Sequence, residues 1–238
     1  MTIRVHRYQD VTQLSDAIAS RMGRYIASAQ ARGLSVALCL SDSIVEVCKA
    51  FSTFASSVAI DPERIDLWWS DDRFVDVTDP TRVSTKTLAA LGNSLRFAAG
   101  RVHPMPTSSG NPDFDAAALS YASELGGVSL DLVILAMGAD GAVAGLEPGS
   151  SQFLSRTPHT VTAFQDDGGT RLSLTLKALN RSQVVWLIAR GESSAASVAS
   201  AVAGDAAIPA GVVRGRRETH LFVDEAAASQ LPYYHCDI

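Results

Sequence analysis

The chain has 238 residues, of which 47% are hydrophobic and 19% charged, and a formal net charge of −5. That composition excludes a disordered chain and provides for the large core of one α/β domain spanning residues 1–238. The acidic balance and the lack of any Lys/Arg-rich run speak against nucleic acid or an anionic membrane as partner.

The start, Met1 to His6, has no apolar stretch of signal-peptide type, and no run nears the roughly 18 apolar residues of a membrane span. Residues 10–31 carry Val11, Leu14, Ile18, Met22, Tyr25 and Ile26 at helical spacing, opened by Asp10 and closed by Gly33. Residues 34–40 form a short apolar run of buried-strand type, and helical spacing returns at Ile44, Val47, Cys48, Phe51 and Phe54. Residues 65–69 are again a strand, and 130–136 are the most apolar one, which places them at the sheet centre. Residues 184–189 and 220–223 follow, each expected to lead into an alanine-rich helix. Strands alternating with helices of this length mean crossover units, hence a mostly parallel central sheet wound with helices on both faces, a Rossmann-like arrangement. Segments 70–82, 104–113, 138–158 and 204–217 are expected loops. Ligands of such sheets sit outside the carboxyl ends of the strands, which directs attention to the residues after Leu40, Trp69, Ala136 and Ala189.

Cys39, Cys48 and Cys236 are odd in number and lack metal-ligand spacing, so free thiols in a reducing, cytoplasmic compartment are expected. Lys49, Lys86 and Lys177 are the only lysines available to any lysine-dependent mechanism.

Two strand-end segments carry a resemblance. Trp68-Trp-Ser-Asp-Asp-Arg-Phe-Val75 and Leu135-Ala-Met-Gly-Ala-Asp-Gly141 resemble two signatures of 6-phosphogluconolactonases. The stretch from Arg171 to Arg181, Val185-Trp-Leu-Ile188, Glu218-Thr-His-Leu-Phe-Val-Asp224 and Leu231-Pro232 fit as well, so the likeness covers nearly the whole chain. The resemblance implies a cytosolic hydrolase without metal or organic cofactor that opens 6-phospho-D-glucono-1,5-lactone to 6-phosphogluconate in the pentose phosphate pathway. It further implies a histidine directly after the Gly-x-Asp-Gly turn that activates water, a Gly-Gly loop that cradles phosphate, and basic side chains that complete the anion site. Glucosamine-6-phosphate deaminases share the fold and the same strand-end sites.

The chain departs from that pattern at four positions. The histidine position is Ala142, which cannot accept a proton, and a positioned general base typically supplies about 10²–10⁴ in rate. The phosphate loop reads Leu38-Cys-Leu-Ser-Asp-Ser-Ile44 in place of glycines, and Asp42 or Ser41 is expected to cap the following helix. Val83 stands where the family has asparagine after its Asp-Pro turn, and Ser194 where it has lysine. An inactive or repurposed member is therefore expected, with weak or no lactone hydrolysis.

Residual catalysis would rest on Asp140 or Asp71 as base. Arg73 and Arg171 could hold a carboxylate or phosphate bidentately, with Asp72 and the turn glycines Gly138 and Gly141 completing the site. The alternative is that Asp72–Arg73 and Arg171 pair structurally around the loops. Glu147 and Asp140 resemble two deaminase carboxylates, and Asp71 could match a third, but a solvated loop glutamate is the commoner explanation. His103 reads as structural, His220 as a strand residue, and His6, His159 and His235 fall outside the strand-end loops; Cys39 reads as packing. Expected partners are a sugar phosphate or a pathway enzyme such as a dehydrogenase. The rivals to hydrolysis are non-catalytic binding of either and sugar-phosphate isomerisation or deamination.

Overall fold

The computed structural model describes residues 2–92, 95–110, 113–155, 161–166 and 169–232. The first strand, β1 (Arg4–Tyr8), leads into the long helix α1 (Val11–Ala31). Asp10 caps α1 by accepting from the Gln13 N–H at 2.8 Å, and Gly33 ends it at φ 82°, a backbone region open to glycine without a Cβ penalty. Then come β2 (Val36–Leu40), α2 (Val45–Ala55), β3 (Ile65–Trp69), β4 (Asp71–Arg73), α3 (Val83–Leu91), β5 (Val102–His103) and α4 (Phe114–Leu125). The second half contains β6 (Leu132–Ala136), α5 (Ser151–Leu154), β7 (Val161–Asp166), β8 (Gly169–Leu174), α6 (Leu176–Leu179), β9 (Val184–Ala189), α7 (Ala195–Ala203), α8 (Pro209–Val212) and β10 (Glu218–Asp224).

Seven strands form a parallel sheet in the order β1-β10-β9-β6-β2-β3-β5, with β6 at its centre as its apolar run demanded. Every residue of β2 and β9 is buried, which requires cover on both sheet faces. The strand order supplies that cover. From β1 through β2 and β3 to β5 the chain steps one way across the sheet, and from β5 through β6 and β9 to β10 it steps back. With right-handed crossovers, α1, α2 and α3 fall on one face and α4 and α7 on the other. The reversal lies between β2 and β6, paired as Leu38↔Leu132 and Leu40↔Ile134, and this is the topological switch point of the sheet.

Four features differ from the sequence reading or escaped it. Strand β1 is an edge strand whose residues are half-buried or exposed, so it lacks the apolar run that marked the others. A second, antiparallel sheet, β4-β8-β7, is built from a segment expected to be loop and from the polar–apolar alternation around Arg171. Residues 225–230, expected to be helical, form turns. The expected loops at 138–158 and 204–217 also hold the short helices α5 and α8.

Candidate active site

A cleft of about 440 Å³ opens at the switch point, walled by the segments after β2, β6 and β9 and floored by β4 and β8. The segment after β2 is stitched to its neighbours. The Ser41 N–H donates to Ile134 O at 3.1 Å, and Ser41 Oγ accepts from the Ala136 N–H at 2.8 Å. Neither Ser41 nor Asp42 caps α2, contrary to expectation, since Ile44 occupies the cap position with no side-chain hydrogen bond. Asp42 instead accepts from the Ser43 N–H and from Lys86 Nζ, each at 2.7 Å. Burial would raise the Asp42 carboxyl, but the hydrogen bond and charge of Lys86 prevail and hold it below the ordinary carboxylate value.

Ser43 (φ 63°) and Ala144 (φ 52°) are the non-glycine residues in left-handed conformation among the described residues, and both line the cleft. Such backbone persists only where neighbours hold it. The Ser43 carbonyl accepts from an Arg190 terminal nitrogen at 2.9 Å, and the Ala144 carbonyl from Ser173 Oγ at 2.6 Å.

On the cleft floor, Asp71 accepts from Ser70 Oγ at 2.9 Å and from Arg171. The antiparallel register, Asp71↔Ser173 and Arg73↔Arg171, is what brings this pair together across β4 and β8. Burial pushes the Asp71 carboxyl up from its ordinary value, against the Arg171 guanidinium.

The other expected site residues are placed differently. Asp72 has no solvent exposure and does not line the cleft. It accepts from the N–H groups of Arg73 (2.8 Å), Val83 (2.7 Å) and Ser84 (3.2 Å) and from Ser84 Oγ (2.8 Å), with Arg82 at 3.4 Å. It therefore caps α3, and its ion-pair partner is Arg82. Arg73 lies across the ladder from Arg171 but outside the cleft lining, where its charge reaches Asp79. Asp140 is exposed, and its Oδ1 accepts from the Ala142 N–H at 3.0 Å, which turns the carboxylate onto its own loop and away from the lining. Gly138 lines the cleft, and a Cβ there would stand 2.6 Å from Asp140 Oδ1, which favours glycine at this turn. Gly141 (φ 89°) serves the turn and the packing of Ile208, 2.7 Å from an added Cβ, and does not reach the cleft. Ala142 and Glu147 do line it, and so does Ser194, which is buried and donates from Oγ to Arg190 O at 3.1 Å.

No described histidine lines the cleft. His103 stacks on Trp68 (centroids 3.9 Å apart) and bonds Glu124 at 2.6 Å, while His6 and His220 bond each other at 2.8 Å across β1 and β10. Burial raises the thiols of Cys39 and Cys48, the latter to about 12, which makes both poor nucleophiles. His159, His235 and Cys236 lie outside the described residues. Among the described residues no cluster of His, Cys, Asp or Glu could hold a metal ion. Arg190 and Lys86 were missed as site residues. Arg190 directly follows the last residue of β9, so the strand-end rule could have found it; Lys86 reaches Asp42 only through the tertiary fold.

A doubly wound α/β protein with a polar cleft at its switch point belongs to the class that binds small, polar metabolites at strand ends. Residues 9–222 match the family model described as glucosamine-6-phosphate isomerases/6-phosphogluconolactonase. The chain is 38% identical over 247 aligned positions to a 6-phosphogluconolactonase of Streptomyces coelicolor, covering 96% of this chain and 94% of that one. It is 34% identical over 193 positions to a 6-phosphogluconolactonase of Mycobacterium tuberculosis, covering 75% and 78%. The fold superposes on 6-phosphogluconolactonases of Thermotoga maritima (TM-score 0.82, 22% identity, 94% and 100% covered) and Trypanosoma brucei (0.84, 18%, 97% and 99%). The chain belongs to the 6-phosphogluconolactonase family.

Proposed function

We propose that this protein is a single-domain, cytoplasmic sugar-phosphate-binding member of the family whose opening of 6-phospho-D-glucono-1,5-lactone is at least about a hundredfold slower than that of an intact relative. The observation that carries this reading is Ala142: it lines the cleft directly after the Gly138–Gly141 turn, where the resemblance puts the family's histidine, and no described histidine lines the cleft. Hydrolysis requires a base to take a proton from water as its oxygen bonds the lactone carbonyl carbon, after which the ring ester C–O bond breaks and the ring oxygen leaves as a hydroxyl. Without a positioned base, about 10²–10⁴ of the rate is missing. Of the two carboxylates expected to substitute, only Asp71 faces the cleft, and it is buried and committed to Arg171.

Part of a ligand frame accompanies that loss. Arg171 and Arg190 line the cleft with hydroxyls of Ser193 and Ser194 and the turn at Gly138, groups suited to the hydroxyl and anionic ends of a sugar phosphate. Glu147 on the rim keeps deaminase-type chemistry in view, but that activity calls on the same missing histidine. A non-catalytic role in binding a sugar phosphate or a pathway enzyme is the extreme of the same reading.

The test is the rate of lactone opening by this protein and by the Streptomyces coelicolor relative, side by side, with spontaneous hydrolysis subtracted. The expected result is a difference of at least about a hundredfold in kcat/KM. Equal rates would overturn the reading.

A further inference from the structure

Arg171 and Arg190 are the cationic side chains that line the cleft among the described residues, and they are held in different ways. Arg171 is buried and donates to the buried carboxylate of Asp71, so an incoming anion would have to displace one charge to reach another. Arg190 is held more lightly. Its side chain is 32% exposed; one terminal nitrogen donates to the neutral Ser43 carbonyl at 2.9 Å, and the other stands 3.6 Å from Glu46, itself 54% exposed. Exposed ion pairs of this kind contribute little and are readily exchanged. Of the other cleft carboxylates, Asp42 is paired with Lys86 and Asp71 with Arg171, while Glu147 stands exposed.

The backbone beneath Arg190 is fixed. Ser194 Oγ donates to the Arg190 carbonyl, and the Gly191 N–H donates to both oxygens of Asp224, at 3.1 and 3.0 Å. Opposite, Ser43 keeps its left-handed conformation with its N–H on Asp42 and its carbonyl on Arg190. We propose that Arg190 determines the specificity of this cleft for a phosphorylated sugar: the guanidinium leaves the Ser43 carbonyl and takes the phosphate of the ligand in its place. The proposal rests on the sugar-phosphate reading above. It assigns to the end of β9 the cation that Ser194 does not supply.

Titration calorimetry at low salt with 6-phosphogluconate and with gluconate separates the two claims. The wild-type protein is expected to bind 6-phosphogluconate at least about tenfold more tightly than gluconate, as a charge-assisted guanidinium–phosphate contact warrants. Arg190→Ala is expected to lose about tenfold or more in affinity for 6-phosphogluconate while changing gluconate affinity less than about twofold. Arg190→Lys, which keeps the charge without the planar fork, should retain part of the preference. Glu46→Gln, which removes a competing carboxylate, should strengthen 6-phosphogluconate binding. If Arg190→Ala binds 6-phosphogluconate as the wild type does, Arg190 is not the determinant and the sugar-phosphate reading stands without it. If Arg190→Ala weakens both ligands equally, Arg190 only supports the loop, and the specificity role is overturned. If the wild type does not favour 6-phosphogluconate, the reading and the proposal fail together.

Discussion

Asp72 was a candidate ligand residue by sequence and is a helix cap by structure, and Asp72→Asn distinguishes the two roles. The carboxylate has no solvent exposure, accepts four hydrogen bonds and stands 3.4 Å from Arg82, whose side chain is 4% exposed. Asparagine keeps the shape but replaces one acceptor oxygen with an NH2 group that faces the Val83 or Ser84 donors. It also leaves Arg82 without its counter-charge, although Arg82 keeps its hydrogen bond to Met105 O. Removing one partner of a buried ion pair costs about 3–5 kcal/mol. With the amide still accepting through one oxygen, a loss of about 3 kcal/mol is expected, or on the order of 6–12 °C in Tm for a chain of this size. Thermal unfolding followed by circular dichroism measures it, with 6-phosphogluconate affinity determined at 20 °C on the folded variant. A fall in Tm under about 2 °C, or a loss of ligand affinity with Tm unchanged, would refute the assignment of Asp72 to the α3 cap.

Further predictions concern the rest of the frame. His6 is held low, at about 4 against 6.5, by burial and then by the charges of Arg21, His220 and Arg4. The unfolded chain therefore binds the extra proton between those values, and stability falls as pH drops from 6.5 towards 4. The unscreened loss at pH 5 would be about 2 kcal/mol; because the ring is only half-buried, on the order of 1 kcal/mol is expected. Urea midpoints at pH 7 and pH 5 should show that loss in the wild type and not in His6→Gln; the same loss in both proteins would contradict it. Ser43→Gly relieves a left-handed residue costing roughly 1–2 kcal/mol but adds glycine's entropy, so a Tm equal to or slightly above the wild type is expected. A drop of several degrees would show that the Ser43 side chain supports the loop. Cys39 and Cys48 should resist thiol reagents in the folded protein and react on unfolding, as their burial and raised thiols require.

The parts of this fold that were legible in sequence are those where burial alone decides. Strand β9 was read to the residue, because a run buried on both faces has no polar interruption, and β3 was read equally well although Asp66 interrupts its apolar run. The position of the cleft was legible as well, since alternating strands and helices imply a mostly parallel sheet and ligands gather outside the carboxyl ends of its strands. Tertiary partnership was not. Arg171 alternates with apolar neighbours in β8, and nothing local shows that β8 pairs with β4 and delivers it to Asp71, a hundred residues away in sequence. Asp71 and Asp72 are adjacent and chemically alike, yet a strand sends successive side chains to opposite faces, so one meets the cleft and the other meets α3. Asp140 lies in a segment that resembles a family signature, but its carboxylate closes its own turn.

The central claim is that catalytic loss is distributed over the cleft and does not reside in residue 142 alone. The value of kcat/KM for lactone opening by Ala142→His tests it most directly. The new imidazole would stand beside Asp140, a carboxylate that could orient it. The substrate would still meet Ser41 tied to Ala136, Asp42 paired with Lys86, and an uncharged Ser194. Misplacement of a substrate by about 1 Å can cost roughly a hundredfold, so a gain of less than about tenfold over the wild type is predicted. A rise to the level of the Streptomyces coelicolor relative would contradict the account, because it would mean that the cleft had kept everything except its base.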